Sequence, residues 1–210
     1  MTARRPRRSL LGTAAALVLA AGLFAVEKVA FDHRSAAGET TRPAPHLAAA
    51  IPDPAPAPST LVDDADIIEL RRRRLLIPVE GVSAVMLVPT FHQPRNQGEH
   101  EALDILAPLG TRALAVEDGT VEKLFTSQRG GLTIYLFDPT GVYCYYYAHL
   151  DHYADIREGQ HVNRRQVIGY VGTTGNAPAN TPHLHFAVFK LGPEKHWWQG
   201  TALDPYLIWR

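Results

Sequence analysis

The chain has a single cysteine, Cys144, so no disulfide can form within it, and no cysteine follows the amino-terminal apolar stretch to carry a lipid. Its reading is that of a small buried residue in a strand. The chain also has no excess of charge. Its 21 lysines and arginines balance 21 aspartates and glutamates, which gives no electrostatic pointer to a nucleic-acid partner. The glycine-rich stretch Gly172 to Gly175 opens no helical pattern, and this excludes a dinucleotide or P-loop phosphate cradle. Nothing in the composition speaks to oligomeric state. A length of 210 residues with 46% hydrophobic content supports one full domain with appendages, not two independent cores.

Positive charge is concentrated locally. Arg4, Arg5, Arg7 and Arg8 precede an uncharged apolar run from Leu10 to Val26, the layout of a secretory signal or a signal anchor over residues 1–34. The run lies between the length of a signal-peptide core and the ~20 residues of a membrane span. It is therefore either removed or kept as a tether to the inner membrane, with the remainder facing outward. Exported and held in the periplasm or cell envelope is the expected location. Residues 35–59 are dominated by Ala, Pro and Thr and read as a stiff spacer. From residue 60 to 210 a single domain is expected.

That domain opens with a short helix between Asp63 and Arg74, acidic at its start and ending in four arginines that read as a hydrated face. Short β-prone runs follow at Arg112 to Val116, Thr120 to Phe125, Leu132 to Phe137 and Val142 to His149. Turn residues at Gly130-Gly131 and Pro139-Thr140-Gly141 make hairpins of the last three runs. The expected fold class is mainly β with antiparallel sheets. Strict alternation in the last run would put Tyr143, Tyr145, Tyr147 and His149 on one face.

Four of the ten histidines sit in telling patterns. In Pro182-His183-Leu184-His185-Phe186 a strand would aim both imidazoles at one spot. Far upstream, Gly98-Glu99-His100-Glu101-Ala102-Leu103-Asp104 offers another imidazole with a carboxylate close behind. Two histidines and an aspartate form a three-ligand set suited to Zn2+, and three protein ligands with an open fourth position mark a catalytic rather than a structural zinc site. The residues alone do not decide which of His183 and His185 binds metal. His33, His46, His92, His152, His161 and His196 lack such patterns and read as surface or structural.

The motifs His100-x-x-x-Asp104, Tyr147-Ala148-His149-Leu150 and Gly172-Thr173-Thr174-Gly175-Asn176 leading into Pro182-His183-Leu184-His185-Phe186 together resemble the M23 family of zinc peptidases of the lysostaphin and LytM type. The resemblance extends over roughly residues 75–205. It implies the compact β-sandwich of that family, akin to a duplicated hybrid motif, with one Zn2+ held by His100, Asp104 and His185. His149 and His183 are then the catalytic imidazoles. It implies metal-assisted hydrolysis of a peptide bond, and as substrate the peptide cross-links of bacterial peptidoglycan. No His-Glu-x-x-His motif is present, so the histidines must perform the proton transfers. Glu99 and Glu101 read as solvated or supporting residues. The basic signal and the lack of wall-binding repeats incline the reading to a Gram-negative periplasmic endopeptidase.

Two other readings compete. One is an envelope regulator of other cell-wall hydrolases, catalytically silent or autoinhibited by Asp63, Asp64 or His92 at the open zinc position. All five key positions are filled, which speaks against silence. The second is a biotinyl or lipoyl carrier, which needs a lysine at a hairpin tip, and none stands between suitable strands. Trp197-Trp198 and Trp209 read as packing for the terminal segment, with a substrate groove as the alternative.

Overall fold

In a computed structural model the described residues are 64–96 and 98–210. The apolar run, the spacer and Asp63 lie outside them. Among the described residues, no helix is long and apolar enough to cross a membrane.

Among the described residues one α-helix, α1 (Asp64–Arg72), and a 3-10 turn, Ala84–Met86, precede eleven strands. The first seven are β1 (Pro94–Arg95), β2 (Gly98–Glu99), β3 (Leu103–Leu106), β4 (Arg112–Leu114), β5 (Gly119–Ser127), β6 (Gly131–Phe137) and β7 (Tyr143–Tyr153). The other four are β8 (His161–Val162), β9 (Val167–Val171), β10 (His183–Leu191) and β11 (Gly200–Leu203). A short 3-10 turn, Pro205–Trp209, closes the chain; the Asp204 carboxylate caps it by accepting from the Tyr206 N–H. The mainly β, antiparallel expectation is met. β5, β6 and β7 form the expected consecutive hairpins. The run beginning at Arg112 pairs instead with β9, because the connection through Asp118 turns the chain away from β4.

The main sheet runs in the order β11-β10-β7-β6-β5-β8, with β3 on β10 and with β9 joined to β4 and β7. Alternation gives its central strands two faces. On one face Leu103, Ile105, Tyr145, Tyr147, Leu184 and Phe186 are fully or almost fully buried with Leu70 of α1. On the other, Ala102, Tyr135, Cys144, Tyr146, Ala148 and Ala187 form a smaller cluster beneath Phe125, Phe189 and Trp197. Cys144 is buried as expected, and burial pushes its thiol well above its usual range.

Of the four arginines read as a hydrated face, Arg71, Arg72 and Arg74 are exposed and Arg73 is the exception. Ile67 and Leu70 are buried, and the Arg73 guanidinium turns inward to donate to Glu117 at 3.1 Å and to Asp138 at 2.8 Å. Asp138 has no side-chain exposure, and it also accepts from the backbone N–H groups of Val142 and Tyr143. Asp66 accepts from the Tyr143 hydroxyl and from Lys190 Nζ, both at 2.8 Å. The helix is thus pinned to the sheet by charge as well as by apolar contact. Trp209 likewise packs inward, its indole N–H donating to the Leu75 carbonyl at 2.9 Å.

Removing Arg73 leaves the buried Asp138 carboxylate without its cation. Arg73→Ala is expected to cost about 3 kcal/mol in urea unfolding, the scale for breaking a buried pair from one side. Arg72→Ala, at an exposed position of the same run, should change stability by no more than ~0.5 kcal/mol.

Candidate metal centre

β10 carries His183 and His185 on the face opposite the main core, because Leu184 and Phe186 take the core positions between and beyond them. Its register sets His185 directly across from Asp104 of β3 on one edge and from Ala148 of β7 on the other. Leu103 and Ile105 are buried, so Asp104 between them must face the same way as His185. His100, at the end of the β2 connection, closes the group.

Three donor atoms meet there. His100 Nε2 lies 3.0 Å from His185 Nδ1 and 3.1 Å from Asp104 Oδ1, and His185 Nδ1 is 3.1 Å from the same oxygen. Ligand bonds of ~2.0–2.1 Å at tetrahedral angles would put donors about 3.3 Å apart. Two imidazoles and a carboxylate at this spacing therefore fit a small divalent cation of the zinc type. The neighbouring bonds support the fit. The Thr90 carbonyl accepts from His100 Nδ1 at 3.1 Å, which leaves Nε2 as the basic nitrogen facing the group. The Thr90 hydroxyl accepts from the Asp104 N–H and donates to the Ala102 carbonyl, both at 3.0 Å. Burial alone would raise the Asp104 carboxyl, but hydrogen bonds and charge from His100 and His185 hold it well below the usual carboxylate range.

The other two histidines stand beside this group. The ring centres of His149 and His183 are 4.9 Å apart, and His149 is 5.5 Å from His185. His149 Nδ1 donates to the Thr174 carbonyl and His183 Nδ1 to the Thr181 carbonyl, both at 2.8 Å. A carbonyl only accepts, so each neutral ring keeps Nε2 as a proton acceptor. Burial, then the charge of His185, pushes His149 down to about 4, so it is neutral at physiological pH.

Strict alternation misplaces His149. It does not share a face with Tyr143, Tyr145 and Tyr147, which lie in the main core, but lines the groove with Tyr146. A break in pairing register along β7 and a left-handed backbone at His149, φ 59°, invert the phase, so Leu150 takes the core position. This sparsely populated conformation is held by the His149 N–H donating to the Gly130 carbonyl at 2.8 Å. The glycine-rich loop clamps the same corner. Thr174 Oγ1 donates to the Leu150 carbonyl at 2.7 Å and accepts from the Leu132 N–H at 3.0 Å, and a methyl at Gly172 would collide with the backbone of His149 and Asp151.

The donors open into a groove of about 490 Å³. Trp197 and Trp198 line it, so they serve the groove as well as packing, with Trp197 tilted against Phe125 and edge-on to Tyr135. Glu99 is exposed and holds His92, 2.7 Å away; His92 is thereby kept off the donor group. Glu101 lines the groove, raised by burial and then by the Glu99 charge. His152 and His196 stack on Tyr170 and Trp198, and His161 is exposed. His33 and His46 lie outside the described residues, as does the side chain of Asp64. Thr90, Thr181 and Tyr146 escaped the sequence reading, and Thr174 entered it only as part of the 172–176 motif, without a role. The threonines act through carbonyls and short hydroxyl bonds, which leave no spacing to detect. Arg95 also escaped it, its guanidinium 3.5 Å from Asp104 Oδ2.

An antiparallel β fold with a His-Asp-His donor group and two further histidines beside it defines a candidate metal-binding site. The sequence pattern of Peptidase family M23 matches residues 98–205, slightly more than half of the chain, and the chain belongs to that family. An L-Ala--D-Glu endopeptidase of Bacillus subtilis is 36% identical over 113 residues, 51% of this chain and 33% of that protein. The glycyl-glycine endopeptidase ALE-1 of Staphylococcus capitis is 38% identical over 92 residues, 43% of this chain and 25% of that protein. The chain thus spans a third or less of the length of these relatives. A candidate glycyl-glycine endopeptidase from Ruminococcus gnavus superposes with a TM-score of 0.51 at 28% identity, covering 59% of this chain and 52% of that one.

The depressed His149 sets a pH dependence. Unfolded imidazole titrates near ~6.5, so between pH 6.5 and about 4 the unfolded chain binds the extra proton and stability falls with falling pH. The urea midpoint of the metal-free protein should therefore drop across that window. His149→Gln should flatten this slope.

Proposed function

We propose that this chain is a zinc-dependent endopeptidase that hydrolyses peptide cross-links of bacterial peptidoglycan. The observation that carries the reading is the convergence of His100, Asp104 and His185 donors at 3.0–3.1 Å beside two more histidines whose Nδ1 atoms are committed to carbonyls, which leaves Nε2 as the proton acceptor, that of His183 lying 3.7 Å from Asp104 Oδ1. Family membership and relatives whose names describe endopeptidases acting on L-Ala--D-Glu and glycyl-glycine bonds support the substrate class.

In this reading His100, Asp104 and His185 hold one Zn2+. When bound, the ion supplies polarisation of the scissile carbonyl and a water of lowered pKa. His149 and His183 handle the protons. Nδ1 of each ring is committed to a carbonyl, so Nε2 of either accepts the water proton, and the imidazolium formed becomes the donor to the leaving amine. The carbonyls of Thr174 and Thr181 hold the rings in that tautomer and disperse the charge that forms on them. The groove walls exclude water from one side and align an extended peptide across β10.

The four arginines up to Arg8, the apolar run 10–26 and the spacer up to residue 59 support an exported protein working in the periplasm or envelope, released or tethered at the inner membrane. The regulator reading has less support: the five key side chains are all present, and His92 is held by Glu99 away from the donors.

The reading predicts new peptide termini in mass spectra of sacculi digested with the zinc-loaded protein, and none after chelation. His149→Ala and His183→Ala should each lower the rate by about 100- to 10,000-fold with zinc content near one ion per chain. Asp104→Ala should lose the metal itself. Full activity in the chelated protein would overturn the proposal.

A further inference from the structure

We propose that Arg129 is a specificity-determining residue, which binds a carboxylate of the substrate peptide beside the scissile bond. This rests on the peptidoglycan reading above and narrows it to stem peptides that carry free acids.

Arg129 occupies the tip of the β5–β6 hairpin and lines the groove next to His149. An exposed arginine on a loose turn would carry no argument, but this turn is held on every side. The Gly130 N–H donates to Ser127 Oγ at 2.8 Å, the Gly130 carbonyl accepts from the His149 N–H at 2.8 Å, and the Arg129 carbonyl accepts from the Asn176 N–H at 3.0 Å. Gly131, at φ +64°, and Gly175, at φ +76°, approach so closely that a methyl on either would strike the other's backbone. The hairpin tip is therefore built into the same corner that orients His149, and the base of the Arg129 side chain keeps a fixed place relative to that ring.

Among the described residues the Arg129 guanidinium has no hydrogen-bond or ion-pair partner. The other groove arginine, Arg95, lies against Asp104. Charge is also divided across the groove. Arg129 belongs to the β7 side of β10, whereas Glu99 and Glu101 lie on the β3 side. A carboxylate is therefore favoured at the Arg129 wall, where the guanidinium is not already turned to an acid as that of Arg95 is. A planar guanidinium with several donors suits bidentate capture of a carboxylate, and a glycine bridge offers no such group.

The test compares one cross-linked stem peptide in free-acid and fully amidated forms, using wild type, Arg129→Gln and Arg129→Lys. Hydrolysis by the zinc-loaded protein gives kcat and KM, and calorimetry on the metal-free protein gives binding. Wild type should prefer the acid by about tenfold, mostly in KM, which converts to ~1.4 kcal/mol. Arg129→Gln should bring the acid-to-amide ratio close to one, and Arg129→Lys should restore part of it. A wild-type ratio of one, or the same preference in Arg129→Gln, overturns the inference even if both peptides are cut. If neither is cut but acid-selective binding is lost in Arg129→Gln, the inference stands and the peptidase reading fails.

Discussion

The pairing of β10 with β3 along one edge and β7 along the other is the constraint on which the site depends. Backbone hydrogen bonds fix the register of all three strands, and a slip of one residue would send His183 and His185 into the core and Leu184 and Phe186 into the groove. That slip is opposed by the apolar area of Leu184 and Phe186, buried completely on the core side. The same hydrophobic burial that stabilises the sheet thus holds a charged donor set together. Without it, two imidazoles and a carboxylate within about hydrogen-bonding distance would lose much of the preorganisation that makes them fit one ion.

The second device is a local departure from regular strand geometry. β7 changes phase at His149, at the cost of a left-handed backbone on a residue that rarely adopts one. Three elements share that cost: the Gly130 carbonyl, the Thr174 carbonyl and the close glycine contacts of the 172–175 loop. The glycines there serve close approach of two turns and do not cradle a phosphate. Strain at such a place accompanies a side chain that has to be aimed.

α1 contributes at a distance. Arg73 and Asp66 join it to Asp138, Tyr143 and Lys190, at the ends of β6, β7 and β10 remote from the histidines. Here a run of arginines that reads as a solvated face contributes one member to a buried ion network. The choice of Arg73 over Arg72 depends on which side of a helix meets the sheet.

Composition, hydrophobic alternation and turn residues were enough to determine a mainly β antiparallel domain, its central hairpins, and candidate ligands at His100, Asp104 and the His183/His185 pair, whereas the role of His149 and the division of that pair were implied only by the family resemblance. Those signals are local, and strand periodicity and ligand chemistry act over a few residues. What tertiary structure alone decided is non-local. It set which nitrogen of His100 and His149 is left as the acceptor, since that follows from the carbonyls of Thr90 and Thr174 on other segments. It turned His149 away from the tyrosines, because the bond from Gly130 can only form once two hairpins meet. Among the described residues it left Arg129 unpartnered at the groove rim, because a side chain's partners are chosen by the fold and not by its neighbours in sequence.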